Sequence, residues 1–290
     1  IVCIFRFVLE TENISNNNTL LSLKNKYLDE FENKNDFYEL IFYIKGWTKS
    51  DCIIHEIDTF GLEEEEKFVA LFEGLKTKPL QYLVNEAFFF GNKLFVDERV
   101  LIPRRETELL VENVLNDKNE YATYVDVCTG SGCIAIAIAN SKKFEKIYVA
   151  DISSEALEVA KINFATFDTK AEVLQGDFLE PLIKQNIKAN LLTINPPYID
   201  ESDPNVEEKV RNNEPHIALF AEDSGLAFYK KLFDNLESVV DTSQKFKVLC
   251  EFGFKQKNEI KKIFLDSGLP YKLNFQRDYS THWRYFILTN

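Results

Sequence analysis

The sequence predicts an α/β protein built on an open, mostly parallel sheet with helices on both faces, preceded by a small helical domain. Three observations predict it. From Tyr121 onward, short apolar runs alternate with amphipathic segments of helical length, the pattern of strands joined by crossover helices. One of those runs, Val125-Asp126-Val127, passes through Cys128-Thr129-Gly130-Ser131-Gly132 straight into Cys133-Ile134-Ala135-Ile136-Ala137. The two glycines allow a tight turn that lets a ligand approach the backbone, with helix amides facing it. A third run, Leu191-Leu192-Thr193-Ile194, ends in Asn195-Pro196-Pro197-Tyr198. Two prolines cannot sit inside a sheet, so the strand stops at Asn195, and the rings stiffen a turn at the strand's carboxyl end, where open α/β sheets bind ligands.

Composition narrows the class. The chain has 290 residues, 45% hydrophobic and 28% charged, enough for two domains with ordinary cores. A net charge of −13 argues against holding nucleic acid through a broad basic surface and suits a partner that carries basic residues. Cys3, Cys52, Cys128, Cys133 and Cys250 are scattered without a CxxC pair, so neither a disulfide framework nor a zinc site is expected, and a reducing cytoplasm fits. His55, His216 and His282 are isolated and lack ligand spacing, so no metal is expected. The apolar start Ile1–Leu9 is too short to span a bilayer and has no basic leader; it is expected to be a strand or helix of the first domain, and no membrane association is expected.

The expected domains are a small helical one over 1–75, with substrate recognition as its role, a β-hairpin linker over 76–105, and a catalytic domain over 106–290. In the first, Leu20-Leu21-Leu23 supports a weak helix, and apolar residues from Phe37 to Leu75 recur at spacings of three and four. The Glu63–Glu66 run reads as a solvated helix start, since four neighbours on a helix point in different directions. In the linker, Ala87–Phe90 and Lys93–Val96 flank Gly91-Asn92 as a hairpin. Pro103 then ends an extended segment, and Glu106-Thr107-Glu108 opens a helix. In the catalytic domain the strands are expected at Tyr124–Cys128, Ile147–Asp151, Ala171–Leu174, Leu191–Asn195, Lys247–Phe252, Tyr271–Phe275 and Arg284–Thr289. The helices are expected at Cys133–Asn140, Ser154–Phe164, Ser224–Glu237 and Lys257–Ser267.

Four consecutive strand ends carry the candidate site. The turn Cys128-Thr129-Gly130-Ser131-Gly132 suits the ribose and carboxylate end of a nucleoside cofactor, or a pyrophosphate. The dinucleotide spacing G-x-G-x-x-G is not met, because Ala135 stands third after Gly132. Asp151, about twenty residues on, suits both ribose hydroxyls. Asp177 could meet an adenine amino group and Phe178 could stack on the ring. Asn195 offers one carbonyl acceptor and one amide donor, a grip for a planar amide or amino group. Glu251 and Arg284, at the edges of the fifth and last strands, read as structural.

These four strand ends resemble the S-adenosylmethionine-dependent methyltransferases of the seven-stranded, Rossmann-like class that modify a planar nitrogen. Three further stretches resemble the glutamine N5-methyltransferases that act on peptide-chain release factors: Pro79-Leu80-Gln81-Tyr82 with the hairpin, Leu101-Ile102-Pro103-Arg104-Arg105-Glu106-Thr107-Glu108, and Glu214-Pro215 followed by Ala218-Leu219-Phe220-Ala221 and Gly225-Leu226. The resemblance covers about residue 78 to the end. It implies methyl transfer from S-adenosyl-L-methionine, leaving S-adenosyl-L-homocysteine, to the side-chain amide of a glutamine in the Gly-Gly-Gln loop of a class 1 release factor. Cys128 to Gly132, Asp151, Asp177, Phe178 and Asn195 would hold the cofactor. Asn195 and the Pro196 carbonyl would hold the amide, with Pro197 and Tyr198 shaping its slot. A ribosomal-protein glutamine, or an adenine or guanine amino group in nucleic acid, are the other substrates such a turn could take. The enzyme is expected to be a monomer that does not bind nucleic acid directly. Two departures stand out: Cys128 replaces the first glycine of the turn, which should crowd the cofactor or shift the turn, and Ala221-Glu222 replace a glycine pair.

Overall fold

The computed structural model describes residues 19–290, so the expectations for Ile1–Leu9 and Cys3 lie outside the described residues. The chain divides into two compact units, one ending at Leu83 and one spanning Val84–Asn290.

The first unit is helical, with α1 (Leu20–Tyr27), α2 (Lys34–Lys45), α3 (Lys49–Ile54) and α4 (Leu62–Leu75). Local chemistry sets the helix starts. Thr19 and Ser22 cap α1 reciprocally, Asn33 caps α2, and Thr48 and Asp51 cap α3, each satisfying amides the first turn leaves unpaired. Gly46 closes α2 at φ 71, a left-handed position that suits a residue without Cβ. The Glu63–Glu66 run does open α4, placing carboxylates at the positive end of its dipole. Aromatic rings fill the core: the Tyr27 and Phe31 centroids lie 5.0 and 5.1 Å from that of Phe72, and Phe37 lies 5.6 Å from Phe68. The apolar spacing read from Phe37 to Leu75 is this packing.

A short helix, α5 (Leu80–Val84), leads to the hairpin β1 (Glu86–Phe89) and β2 (Asn92–Phe95). The hairpin lies within the second unit. Its turn sits one residue earlier than the sequence suggests. Phe90 and Gly91, not Gly91 and Asn92, occupy the tip with φ 47 and 77, the two left-handed positions that match the twist of a two-residue hairpin. Phe90 holds this conformation because its amide donates to Glu108 Oε1 at 2.7 Å.

The main sheet has seven strands: β3 (Thr123–Val127), β4 (Lys146–Asp151), β5 (Glu172–Gln175), β6 (Leu191–Ile194), β7 (Lys247–Glu251), β8 (Lys272–Arg277) and β9 (Trp283–Thr289), in the order β5-β4-β3-β6-β7-β9-β8. The first five are parallel, and β9 runs antiparallel between β7 and β8. Both faces are covered. Helices α6 (Glu108–Leu115), α7 (Cys133–Ala139) and α8 (Ser154–Thr166) bury Leu110, Val114, Ile134 and Ile138 against one face, with Tyr124, Leu191 and Leu249 of the sheet. On the other face α9 (Glu180–Lys184), α10 (Ala227–Val239) and α11 (Lys257–Asp266) pack with Val125, Ile194 and Val248. Burial on both sides is why β6 and the Val248-Leu249-Cys250 centre of β7 lack the apolar–polar alternation of a half-exposed strand.

All seven expected strands are present within two residues. The helix expected at Ser224–Glu237 instead starts at Ala227, because Asp223 and Ser224 stand at φ 53 and 55 and Gly225 at φ 80. Gly225 is required by a close approach: a Cβ there would lie 2.1 Å from the Tyr198 carbonyl oxygen.

Candidate active site

Successive strands build outward from β3 in one direction through β4 and β5 and in the other through β6 and β7, so the carboxyl ends of β3 and β6 flank a crevice at the switch of direction. The glycine turn fills its floor. Gly132 at φ 80 packs against α8, and a Cβ there would meet the Phe164 ring at 2.8 Å. Gly130, at φ 54, has no atom within 4 Å of a Cβ position, so it faces open space. Cys128 adopts φ 58, a left-handed geometry that a glycine takes without strain and that costs a residue with a Cβ about 1–2 kcal/mol. Asn163, almost wholly buried, ties this turn to the hairpin: Nδ2 donates to the carbonyls of Ser131 and Phe95, and Oδ1 accepts from the Phe95 amide.

Three carboxylates stand near the carboxyl ends of the central strands, each held by donors other than a salt-bridged cation. Asp126 is fully buried and accepts from the Thr129 and Thr193 hydroxyls at 2.6 Å each; burial pushes its carboxyl up to about 7 against those two donors. Thr193 in turn lies 2.8 Å from the Tyr124 hydroxyl. Asp151 accepts from the amides of Gly130 at 2.9 Å and Ser153 at 3.0 Å; burial raises its carboxyl above the usual range and the amides draw it back. Glu251, 1% exposed, accepts from the Thr107 hydroxyl at 2.8 Å and the Tyr198 hydroxyl at 3.0 Å. Burial raises its carboxyl too, opposed by those hydroxyls and by the field of Arg284, whose guanidinium is itself bonded to Asp278.

Asn195 stands at the end of β6 on the boundary between two cavities. One, floored by the glycine turn, is lined by Cys128 to Ser131, Asp151, Asp177 and Phe178. The other is an open groove beyond Pro196 and Tyr198. Asn195, Leu101, Arg104 and Ala218 line both. Arg104 is fixed there by Glu214, whose buried carboxylate accepts from the Arg104 guanidinium at 2.5 Å and from the Ile102 amide at 3.1 Å. The Tyr198 carbonyl accepts from Gln256 Nε2 at 2.8 Å, so the proline turn is held at both the backbone and the hydroxyl of its tyrosine.

The expected site residues therefore gather around one crevice, with a division of place. Cys128 to Ser131, Asp151, Asp177, Phe178 and Pro197 line the first cavity; Pro196 and Tyr198 line the groove; Asn195 lines both; and Gly132 lies behind the turn against Phe164. Phe178 is 5% exposed, with its ring at an edge-on 81° to Phe228, a further lining residue. Asp177 also pairs with Lys231 at 3.3 Å. Sequence reasoning passed over Thr107, Glu251, Asp126, Glu214 and Phe228. Thr107 read as a helix start and Glu251 as structural, and only the fold brings these two residues, 144 apart, into one hydrogen bond. Among the described residues no cluster of His, Cys, Asp or Glu could hold a metal ion, and no helix is long and apolar enough to cross a membrane.

A seven-stranded sheet in this order, with a glycine turn after its first strand, an acid ending its second and Asn-Pro-Pro-Tyr ending its fourth, defines a Rossmann-like methyltransferase. A family model for the methyltransferase small domain matches residues 104–213. A methyltransferase from Pyrococcus furiosus is similar in fold, with a TM-score of 0.51 at 14% identity over 69% of this chain and 89% of that one. The release factor glutamine methyltransferase of Mycoplasma mycoides subsp. mycoides is 36% identical over 283 residues, 94% of this chain and 99% of that protein. That of Staphylococcus aureus is 36% identical over 84% of this chain and 88% of its own length. The chain belongs to the release factor glutamine methyltransferase family.

Proposed function

We propose that this chain methylates the side-chain amide nitrogen (N5) of a glutamine in a class 1 peptide-chain release factor, at its Gly-Gly-Gln loop, using S-adenosyl-L-methionine. The observation that carries the proposal is the position of Asn195, shared by the cavity floored by the glycine turn and an open groove. A methyl donor and its acceptor must meet across such a boundary.

The first cavity fits S-adenosylmethionine in two respects. The open space beyond Gly130 leaves backbone accessible, and the Asp151 carboxylate, bonded only to backbone amides, keeps lone pairs for the two ribose hydroxyls. When bound, the cofactor supplies a sulfonium-activated methyl group. The residues of this chain supply orientation. An amide nitrogen is a poor nucleophile because its lone pair is delocalised into the carbonyl. Asn195 Oδ1 and the Pro196 carbonyl would accept from its two hydrogens, turn the lone pair toward the methyl, and stabilise the positive charge that develops on nitrogen. Buried Pro196 and Pro197 keep both acceptors in place, and Tyr198 walls the slot. The surplus proton leaves for solvent after transfer, so no base must be charged beforehand. Asp200, Asp203 and Glu207 line the groove beside Arg104, Lys255 and Arg284, a mixed lining without the cationic excess a phosphate backbone calls for. The helical unit is proposed to recognise the body of the substrate protein. The enzyme so described works as a monomer in the cytoplasm, in keeping with free thiols at Cys52, Cys128, Cys133 and Cys250.

The test is transfer of labelled methyl from S-adenosylmethionine to intact release factor, to its loop Gln→Ala variant, to ribosomal protein and to nucleic acid. Label on release factor that disappears with the Gln→Ala change is expected. Label on nucleic acid, with none on protein, would overturn the proposal.

A further inference from the structure

An asparagine that accepts from a substrate amide has to present its oxygen, and nothing in its own shape decides which way the side-chain amide is turned. Its Oδ1 and NH₂ are nearly equal in size, so orientation comes from neighbours. In this site Asn195 Nδ2 lies 3.4 Å from Thr107 Oγ1, and no protein donor among the described residues engages Oδ1. A hydroxyl could in principle serve Asn195 as donor or acceptor. Here that choice is already made, because the single proton of the Thr107 hydroxyl is given to Glu251 Oε2 at 2.8 Å. Thr107 can then only accept, so it takes the NH₂ of Asn195 and turns Oδ1 away from itself. The distance is at the long end, as catalytic hydrogen bonds commonly are before substrate arrives.

Glu251 is suited to fix that direction. It is 1% exposed, and both its oxygens meet hydroxyl donors: Oε2 that of Thr107 and Oε1 that of Tyr198. In its ionised form Glu251 is an acceptor only, so neither hydroxyl can reverse. Thr107 itself is 2% exposed and held at the start of α6.

We infer that Glu251 and Thr107 are positioning residues that set the flip of the Asn195 amide, so that one buried carboxylate orients both the acceptor of the substrate slot and its tyrosine wall. The inference rests on the glutamine-clamp reading above, and deepens it by naming what makes Asn195 an acceptor.

The test compares Thr107→Val, Thr107→Ser, Glu251→Gln and Asn195→Ala in the full chain, measuring kcat and KM with release factor and equilibrium binding of S-adenosylmethionine. Thr107→Val fills the same volume but offers no acceptor. It is expected to lower kcat about 10²-fold, the scale of a lost alignment, with cofactor affinity changed less than about threefold. Thr107→Ser restores the hydroxyl and is expected to recover kcat to within about fivefold of wild type. Glu251→Gln, which can accept from only one of the two hydroxyls, is expected to fall about 10-fold or more in kcat. Adding Thr107→Val to Asn195→Ala should slow the enzyme by less than about twofold further, since the orienting contact then has nothing to orient. Thr107→Val at wild-type kcat, Thr107→Ser as slow as Thr107→Val, or losses that multiply in the double variant would each overturn the inference while leaving the glutamine reading intact. A wild-type enzyme that leaves release factor unlabelled would overturn that reading and this inference with it.

Discussion

The two ends of the main sheet use buried acids in opposite ways. At the amino end Asp117 and Lys247 meet at 2.8 Å, with side chains only 12% and 10% exposed. Burial works to raise the Asp117 carboxyl, but the Lys247 ammonium, the Asn119 amide and the Tyr121 hydroxyl outweigh it and hold the group well below the usual carboxylate range. At the carboxyl end Asp126, Asp151 and Glu251 have donors that are hydroxyls or backbone amides, and burial leaves all three above their ordinary values. A salt-bridged acid holds structure together. Acids held without such a bridge keep hydroxyls and amides pointing one way, which is what a site needs and what costs stability.

The contrast can be broken from either end. The largest expected loss of stability at neutral pH is at the amino end, where Asp117→Asn strands the Lys247 ammonium and should lower stability by about 3 kcal/mol, measured by urea unfolding at pH 7, with kcat unchanged. Because the native carboxyl is depressed, its contribution is complete above about pH 4 and is lost as pH falls below that, so the gap between wild type and variant should close in acid. At the carboxyl end Asp151→Asn should leave the fold within about 1 kcal/mol of wild type but weaken S-adenosylmethionine about 30-fold, or about 2 kcal/mol, as read by calorimetric titration.

The effect of opposite sign sharpens the comparison most. Asp126 is raised to about 7 in the native state, so between about pH 4 and pH 7 the folded protein binds a proton that the unfolded chain has released. Stability should therefore fall as pH rises across that window, by up to about 1.4 kcal/mol per unit. Asp126→Asn should remove this slope, the opposite sign to Asp117, and unfolding curves of the wild type and both variants from about pH 2 to about pH 8 would show it.

How much of this was legible in the sequence follows from how local each feature is. The Asn195 turn and the glycine turn are contiguous, and their prolines and glycines state their own geometry. The central strands stood out because burial on both faces makes them mostly apolar without alternation. The hairpin tip was misplaced by one residue because the amide of Phe90 is satisfied by Glu108, eighteen residues away, which lets a phenylalanine take a left-handed position. Glu251 and Thr107 carried no local sign of partnership. Each is an ordinary residue for its element, and the hydrogen bond between them exists only once β7 and the start of α6 are side by side.

Asn195 lines both cavities and is expected from the sequence to serve cofactor and substrate alike; the central claim is that it mainly orients the substrate amide, with little share in cofactor affinity. The most direct measurement sets the single-turnover methyl-transfer rate beside the dissociation constant for S-adenosylmethionine, both on Asn195→Ala with release factor as substrate. A rate lowered about 10³-fold with cofactor affinity within about threefold of wild type is the predicted result. A rate near that of the wild type, or a loss of rate matched by an equal loss of cofactor affinity, would contradict it.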